Sequence, residues 1–163
     1  MNETANAPLE PLPRPFRILL ADDEATIRRC VTHYLSRVGY SVTAVADGKE
    51  AWAAIRSEHY DLLITDQQMH NSNGAELILQ IRLAGNKLPV IVAASDLQPF
   101  DKSTCHDLMV TAVIQKPFGL KKLGQAIALA LSPTSDQFRG RAHASNARLH
   151  PCRRQAKHES VLA

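Results

Sequence analysis

Four side chains in this sequence have the types and positions needed for chemistry on an anion: Asp22, Asp23, Asp66 and Lys116. Clustered carboxylates repel one another unless a cation neutralises them, and carboxylate oxygens are ligands that Mg²⁺ prefers. A lysine on the far side of such a cluster could hold an anion bound over Asp66. A magnesium site with a lysine beside a carboxylate is what phosphoryl transfer to that carboxylate requires, with Asp66 as the nucleophile.

Each of these residues follows a short apolar segment. FRILLA precedes the paired acids, DLLIT precedes Asp66 and TAVIQ precedes Lys116. Any one aspartate after a strand is explained as well by a helix cap or by exposure to water. The functional interpretation therefore depends on whether the fold brings the three acids together.

Strand-like and helix-like segments alternate along the chain. We predict strands at 16–21, 40–45, 61–65, 88–94 and 111–115, and helices at 24–38, 47–59, 74–83 and 120–131. The strands are continuous apolar runs, which indicates a parallel sheet covered by helices on both faces. The predicted fold is α/β, with a flavodoxin-like strand order 2-1-3-4-5 that makes the first and third strands neighbours at the point of reversal. Segment 96–109 has no clear period, and Pro99 prevents an early helix there.

The ends of the chain differ in composition from the middle. Residues 1–15 are rich in proline and predict a flexible leader, whereas 132–163 predict a basic, disordered tail. In 133–163, six basic and two acidic residues give +4, which leaves −1 for the rest of a chain with a net charge of +3. We interpret the tail as a solvated extension; the alternative is that it contacts an anionic partner such as nucleic acid.

The remaining composition indicates an ordinary intracellular domain. No apolar run is long enough to span a membrane, and the first residues lack the pattern of a signal peptide, so we expect a cytoplasmic protein. The three cysteines are at 30, 105 and 152. They suit neither a disulfide framework nor a metal site.

Taken together, LLADDEATIRR, ITDQQM, the Asn73-Gly74 pair, LPVIV and QKPF resemble the receiver domain of two-component response regulators. The resemblance covers about 16–131 and is specific as a combination, whereas each motif alone is weak. It implies a phosphoacceptor module that is not an enzyme. The donor would be a phosphohistidine on a sensor histidine kinase or phosphotransfer protein, and a downstream protein would receive the signal.

The resemblance also implies a role for each matching residue. Asp66 resembles the phosphoacceptor and Asp23 a direct Mg²⁺ ligand, while Asp22 resembles the outer acid that holds a water of the metal. Gln68 would offer its backbone carbonyl to the ion. Lys116 resembles the lysine that contacts the phosphoryl oxygens, and its bond to the following proline is expected to be cis.

Two positions depart from the pattern of the family. A hydroxyl residue usually ends the fourth strand, but Ala94 stands there, 22 residues before Lys116. An aromatic residue usually lies three residues before the lysine, but Val113 stands there. Because a ligand shifts a conformational equilibrium only by interacting differently with the two states, we expect a degenerate output switch. Ser95 is a possible substitute hydroxyl if the loop shifts by one residue.

Two other function classes stay open. The first is a receiver-fold scaffold or protein-interaction module that works without phosphorylation. The second is a hydrolase that uses Asp66 as nucleophile, in the manner of haloacid-dehalogenase-like phosphatases. Their D-x-D signature is absent because Gln68 occupies the second acid's place.

Overall fold

Strands and helices alternate along the chain, as the sequence predicts. The computed structural model describes residues 14–132. The strands are β1 Arg17–Ala21, β2 Ser41–Val45, β3 Leu62–Asp66, β4 Gln68–Met69, β5 Ser72–Asn73, β6 Val90–Ala94 and β7 Ala112–Gln115. The helices are α1 Ala25–Arg37, α2 Gly48–Ser57, α3 Gly74–Leu83, α4 Lys102–Asp107 and α5 Leu120–Ala130, with a 3₁₀ turn at Gln98–Phe100.

Five of the strands form one parallel sheet in the order β2-β1-β3-β6-β7. This confirms the α/β fold and the order 2-1-3-4-5, in which the fourth and fifth predicted strands are β6 and β7. The chain passes from β1 to the edge strand β2 and then returns to the other side of β1 with β3, the central strand. The reversal therefore lies between β1 and β3, where ligands of such sheets bind.

The sheet has a hydrophobic core on each face. Successive side chains of a strand point to opposite faces, so Leu19 and Leu63 pack in one core while Ile18 and Ile64 pack in the other. The first core includes buried residues of α2, α3 and α4, and the second includes those of α1 and α5. All five residues of β3 are buried, in agreement with its continuous apolar sequence.

The structure differs from the sequence prediction mainly after β6. The segment 96–109, which had no predicted element, contains the 3₁₀ turn and the six-residue α4. Asp101 caps α4 by accepting a hydrogen bond from the Thr104 N–H at 2.8 Å. A helix of fewer than two turns cannot display a hydrophobic period, so the pattern missed it. The two-residue strands β4 and β5 were also missed, because they are too short to alternate.

The predicted leader 1–15 and tail 132–163 lie almost entirely outside the described residues. At the boundary, Arg14 forms a two-pronged ion pair with Asp61, at 2.9 and 2.8 Å. No helix within 14–132 has the length and apolar character to cross a bilayer. Cys30 is exposed and Cys105 is buried, and both are free thiols.

Candidate functional site

Three aspartates meet at the carboxyl edge of the sheet. Asp22 directly follows β1, and Asp66 is the last residue of β3. These strands are parallel neighbours, with Ala21 opposite Thr65, so both acids reach the same edge. Single carboxylate oxygens of Asp22, Asp23 and Asp66 all lie within 4.8 Å of one another. This is the convergence that the predicted strand order requires.

The three acids differ in their access to water. Asp22 is 2% exposed and Asp66 is 9% exposed, whereas Asp23 is open to solvent. Buried carboxylates are unfavourable unless they are paired. The pocket is therefore a buried acid pair with one solvent-facing acid, which leaves a route for an ion to enter.

Lys116 supplies the pairing charge from the other side of the pocket. It follows β7, and its Nζ donates hydrogen bonds to Asp66 Oδ2 at 2.6 Å and to Asp22 Oδ2 at 3.0 Å. Burial lowers the pKa of Lys116, but its hydrogen bonds to the two carboxylates and their charges outweigh burial and raise that pKa above its usual value. Lys116 is therefore a cation at neutral pH.

The backbone around Lys116 fixes its direction. Its N–H donates to the Ala94 carbonyl oxygen at 2.7 Å, which ties the end of β7 to the end of β6. The bond between Lys116 and Pro117 is cis, as the sequence resemblance implies. The side chain thus extends past the end of β6, the strand between β7 and β3, to reach Asp66.

The donor set fits Mg²⁺. Three carboxylates and one ammonium leave a formal charge of −2, which a divalent cation would neutralise. The donors are hard oxygens, and no cysteine or histidine belongs to the cluster among the described residues. Mg²⁺ keeps several waters and takes only one or two carboxylates directly, so the exposed Asp23 and the neighbouring acids are a suitable partial ligand set.

The loop after Asp66 is held by close backbone packing. The Gly74 N–H donates to the Gln67 carbonyl at 2.9 Å. A Cβ atom added to Gly74 would lie 2.4 Å from the Asp66 carbonyl oxygen, well inside contact distance. Only glycine therefore lets α3 begin directly beside the end of β3. The Asn73-Gly74 pair is one of the motifs that carry the sequence resemblance, but nothing in that pattern indicates this contact.

Gln68 lies in a small ribbon that borders the pocket. It pairs with Asn73 in the antiparallel strands β4 and β5. Its N–H lies 3.4 Å from Asp66 Oδ1, a long and weak hydrogen bond. Asn73 caps α3 through its side chain, which accepts from the Ala75 N–H at 2.9 Å. The ribbon and the cap together hold the loop that carries the predicted carbonyl ligand.

The two predicted switch positions lie in the hydrophobic core. Ala94 ends β6 and is fully buried, and Val113 in β7 is 4% exposed. Both belong to the same core cluster as Phe100 of the 3₁₀ turn. Ser95 is the first residue after β6 and is exposed. The end of β6 thus presents a methyl group at the position where the resemblance predicts a hydroxyl.

Comparison with known proteins identifies the relatives of this chain. Residues 18–128 match the family model of the response regulator receiver domain. The response regulator MprA of Mycolicibacterium vanbaalenii is 32% identical over 131 residues, which are 80% of this chain and 57% of that protein. The sensor protein EvgS of Escherichia coli is 33% identical over 112 residues, covering 69% of this chain and 9% of EvgS. The chain thus spans little more than half of MprA and a small part of EvgS.

Solved structures give the same result for the fold. The chemotaxis response regulator CheY4 of Vibrio cholerae is 28% identical, with a TM-score of 0.67 over 72% of this chain and 99% of that one. The response regulator TrrA of Thermotoga maritima, solved in complex with Mg²⁺ and BeF, is 26% identical. Its TM-score is 0.65 over 71% of this chain and 99% of TrrA.

Proposed function

The chain belongs to the response regulator receiver domain family, and from that premise we propose that it is a phosphorelay module that accepts a phosphoryl group on Asp66. The donor is the phosphohistidine of a sensor histidine kinase or a histidine phosphotransfer protein in the cytoplasm. The observation that carries this proposal is the contact of Lys116 Nζ with Asp66 Oδ2 at 2.6 Å, beside two further carboxylates.

In the proposed reaction, a carboxylate oxygen of Asp66 attacks the phosphorus of the donor. The O–P bond forms as the P–N bond breaks, and the electron pair of the broken bond stays with the donor's imidazole. Lys116 balances the negative charge of the phosphoryl oxygens with its ammonium, a preorganised charge of the kind that dominates such transfers. Asp22 orients that ammonium by accepting its second hydrogen bond, at 3.0 Å.

Asp22, Asp23 and Asp66, with the backbone carbonyl of Gln68, would hold Mg²⁺. When bound, the ion supplies positive charge against the phosphoryl oxygens and the carboxylates. Asp23 is the exposed member of the set and provides the entry point, while the buried Asp22 acts as the outer acid. The chain needs no substrate pocket of its own, because the reacting group arrives on a partner protein.

The output of this module is altered. Ala94 has no hydroxyl to bind a phosphoryl oxygen, and Val113 has no ring to move, so the usual link from Asp66 to the β7–α5 surface is missing. Ser95 is exposed and one residue away, and it is the nearest substitute donor in sequence. We propose that the downstream partner recognises the phosphorylated pocket itself more than a rearranged distant face.

Two observations favour the second candidate, a scaffold that needs no phosphorylation. They are the buried methyl group of Ala94 and the buried Val113 in place of the usual coupling groups. This candidate keeps the fold and its acids but predicts no covalent change at Asp66. It is separated from the first by direct phosphorylation.

Incubation of the full chain with acetyl phosphate and Mg²⁺, followed by intact-mass measurement, tests the proposal. We expect the mass to rise by one phosphoryl group. The increase should disappear in Asp66→Asn and persist in Asp107→Asn, which removes an exposed acid of α4. An unchanged mass of the wild-type chain would leave the scaffold as the better candidate. Labelling that survives in Asp66→Asn would place the acceptor elsewhere.

A further inference from the structure

Every polar group of Asp22 is engaged by a neighbour. Its N–H donates to the Val45 carbonyl at 3.3 Å. Its Oδ1 accepts from the Glu24 N–H at 2.8 Å and its Oδ2 from Lys116 at 3.0 Å. The remaining group, its carbonyl oxygen, accepts from Arg28 Nη1 at 2.6 Å, the shortest of the four contacts. Arg28 is thus the side chain that fixes the main chain of this acid.

Arg28 reaches the acids because of where α1 begins. Glu24 is the N-cap of α1, and its side chain makes no capping hydrogen bond. The loop between β1 and α1 carries both Asp22 and Asp23, and it is joined to this N-cap residue by the Glu24 N–H, which donates to Asp22 Oδ1. Arg28, one turn into the helix, adds a second link by donating to the Asp22 carbonyl oxygen.

The bonded carbonyl belongs to the peptide that joins Asp22 to Asp23. A peptide unit is planar, so a hydrogen bond that fixes its oxygen also fixes the direction in which the next residue leaves. Asp23 is exposed, and its carboxylate is otherwise free to turn toward solvent. By fixing this peptide, the Arg28 hydrogen bond restricts the directions that Asp23 can take and favours the one toward Asp22 and Asp66.

We propose that Arg28 is a positioning residue for the divalent-cation site, which it organises by holding the Asp22–Asp23 peptide. The inference rests on the proposed function, since it assumes that the acids bind Mg²⁺. It goes beyond that function because it gives a role to a residue that is neither one of the acids nor Lys116. That role is to hold the metal-binding acids in position. Arg28 does not touch the reacting atoms.

The direction in which the Mg²⁺ affinity changes on mutation of Arg28 distinguishes a positioning role from a purely electrostatic one. A guanidinium near three carboxylates opposes the binding of another cation, so loss of its charge alone would tighten Mg²⁺ binding. Loss of its hydrogen bond would loosen Asp23 and weaken binding. Residues that orient metal ligands typically contribute about ten- to hundredfold to metal affinity. Positioning therefore predicts weaker binding after removal of a positive charge.

The test is a Mg²⁺ titration of the full chain, followed through amide NMR signals of residues 22–24 and 66–68 at constant ionic strength. Arg28→Ala should raise the Mg²⁺ dissociation constant about tenfold. Arg28→Lys, which keeps the charge and one donor, should raise it less. Arg29→Ala is the matched control, because it removes an exposed arginine one residue away and should leave the affinity unchanged.

Unchanged or tighter binding in Arg28→Ala overturns the inference, as does equal weakening in Arg29→Ala. Thermal unfolding in EDTA checks that each variant is folded. If Arg28→Ala does not fold, the Mg²⁺ dissociation constant of Arg28→Lys is compared with that of the wild-type chain instead. Failure of the proposed function gives a different result. In that case the wild-type chain binds no Mg²⁺, or Asp23→Asn binds it as tightly as wild type.

Discussion

The two halves of the carboxyl edge of the sheet are built differently. At the ends of β1 and β3, buried acids are held by several hydrogen bonds each, and Lys116 reaches them at 2.6 and 3.0 Å. On the β6 and β7 side, Ala94 ends β6 and Val113 is the second residue of β7; both are buried and apolar, and α4 is six residues long. In the proposed function, the polar half carries out phosphoryl transfer, and the apolar half lacks the groups that would sense the product.

Under the proposed function, this difference predicts that the phosphoryl chemistry and the signal output are separable in this chain. The acids depend on β1 and β3, which are neighbours in the sheet, whereas the sensing groups depend on β6 and β7. Lys116 belongs to both halves, since its backbone is tied to Ala94 while its side chain binds Asp66. Changes that affect one half and spare the other can therefore test the separation.

The largest effect is expected from Lys116→Ala. Without the ammonium, no cationic side chain among the described residues contacts the Asp66 carboxylate, so the rate of phosphorylation by acetyl phosphate should fall about 100-fold. Lys121→Ala is the control, because Lys121 is an exposed lysine at the start of α5. The rate is followed by intact mass over time at saturating Mg²⁺. A rate within twofold of wild type would show that the polar half does not need Lys116.

Gly74→Ala should disturb the polar half through the backbone. The added methyl group would lie 2.4 Å from the Asp66 carbonyl oxygen, so either β3 or α3 must move. We expect a loss of about 1–3 kcal/mol in the free energy of unfolding, the range for overpacking a close contact. We also expect phosphorylation to slow, because misplacing a nucleophile weakens transfer. Urea unfolding and acetyl phosphate labelling measure the two effects.

Gly119→Ala is the matched control for that prediction. No atom lies within 4 Å of the Cβ that it would add, and Gly119 has φ −82°, which alanine adopts readily. Gly119 is the N-cap of α5, where alanine is less favourable than glycine, so the change should cost no more than about 1 kcal/mol in the free energy of unfolding and should leave the phosphorylation rate unchanged. Equal destabilisation by both alanines would mean that the close contact at Asp66 is not the cause.

The fold and the acid pocket were predictable because each depends on strong, local features. Continuous apolar strands separated by amphipathic helices indicate a parallel sheet, and its order places residues 22 and 66 at one edge. The predicted helix at 47–59 begins correctly at Asp47, which caps α2 by accepting a hydrogen bond from the Glu50 N–H at 2.8 Å. The strands and helices follow from the chain's own periodicity, whereas the convergence of the acids also required the assumed strand order.

The contacts that hold the pocket were not predictable, because they join side chains or glycines to distant backbone. The bond from Arg28 to the Asp22 carbonyl depends on how α1 leaves the sheet. The approach of Gly74 to Asp66 depends on how α3 meets β3. Neither leaves a periodic signal in the sequence. The short α4 was missed for the related reason that six residues carry too little pattern.

Beryllofluoride binding with Mg²⁺ would test the apolar half directly. Because Ala94 and Val113 offer no polar contact, amide signals near Asp66 should shift more than those of α5. Ala94→Thr supplies a hydroxyl, and it should extend the shifts toward α5. Ala94→Val adds a similar volume without the hydroxyl and should not. Large α5 shifts in the wild-type chain, or equal behaviour of the two variants, would contradict the separation of the two halves.

The smallest effect is expected at Met109, between α4 and β7. Its φ of +49° is in the left-handed region, and its side chain is half exposed. This conformation costs a residue other than glycine about 1–2 kcal/mol, while glycine loses about 0.5–1 kcal/mol more chain entropy on folding. Met109→Gly should therefore stabilise the chain by about 0.5–1 kcal/mol in urea unfolding. Phosphorylation of Asp66 should be unaffected, because Met109 lies outside the polar half.

Gly85→Ala is the reverse experiment, because it adds a side chain at a residue with positive φ. Gly85 has φ +75°, and no atom lies within 4 Å of the Cβ that alanine would add, so the effect is purely conformational. It should destabilise the chain by about 1 kcal/mol. If Gly85→Ala destabilises and Met109→Gly also destabilises, the methionine side chain contributes more than its backbone strain removes. The contacts of the Met109 side chain would then stabilise the region around α4 by more than the positive φ of Met109 destabilises it.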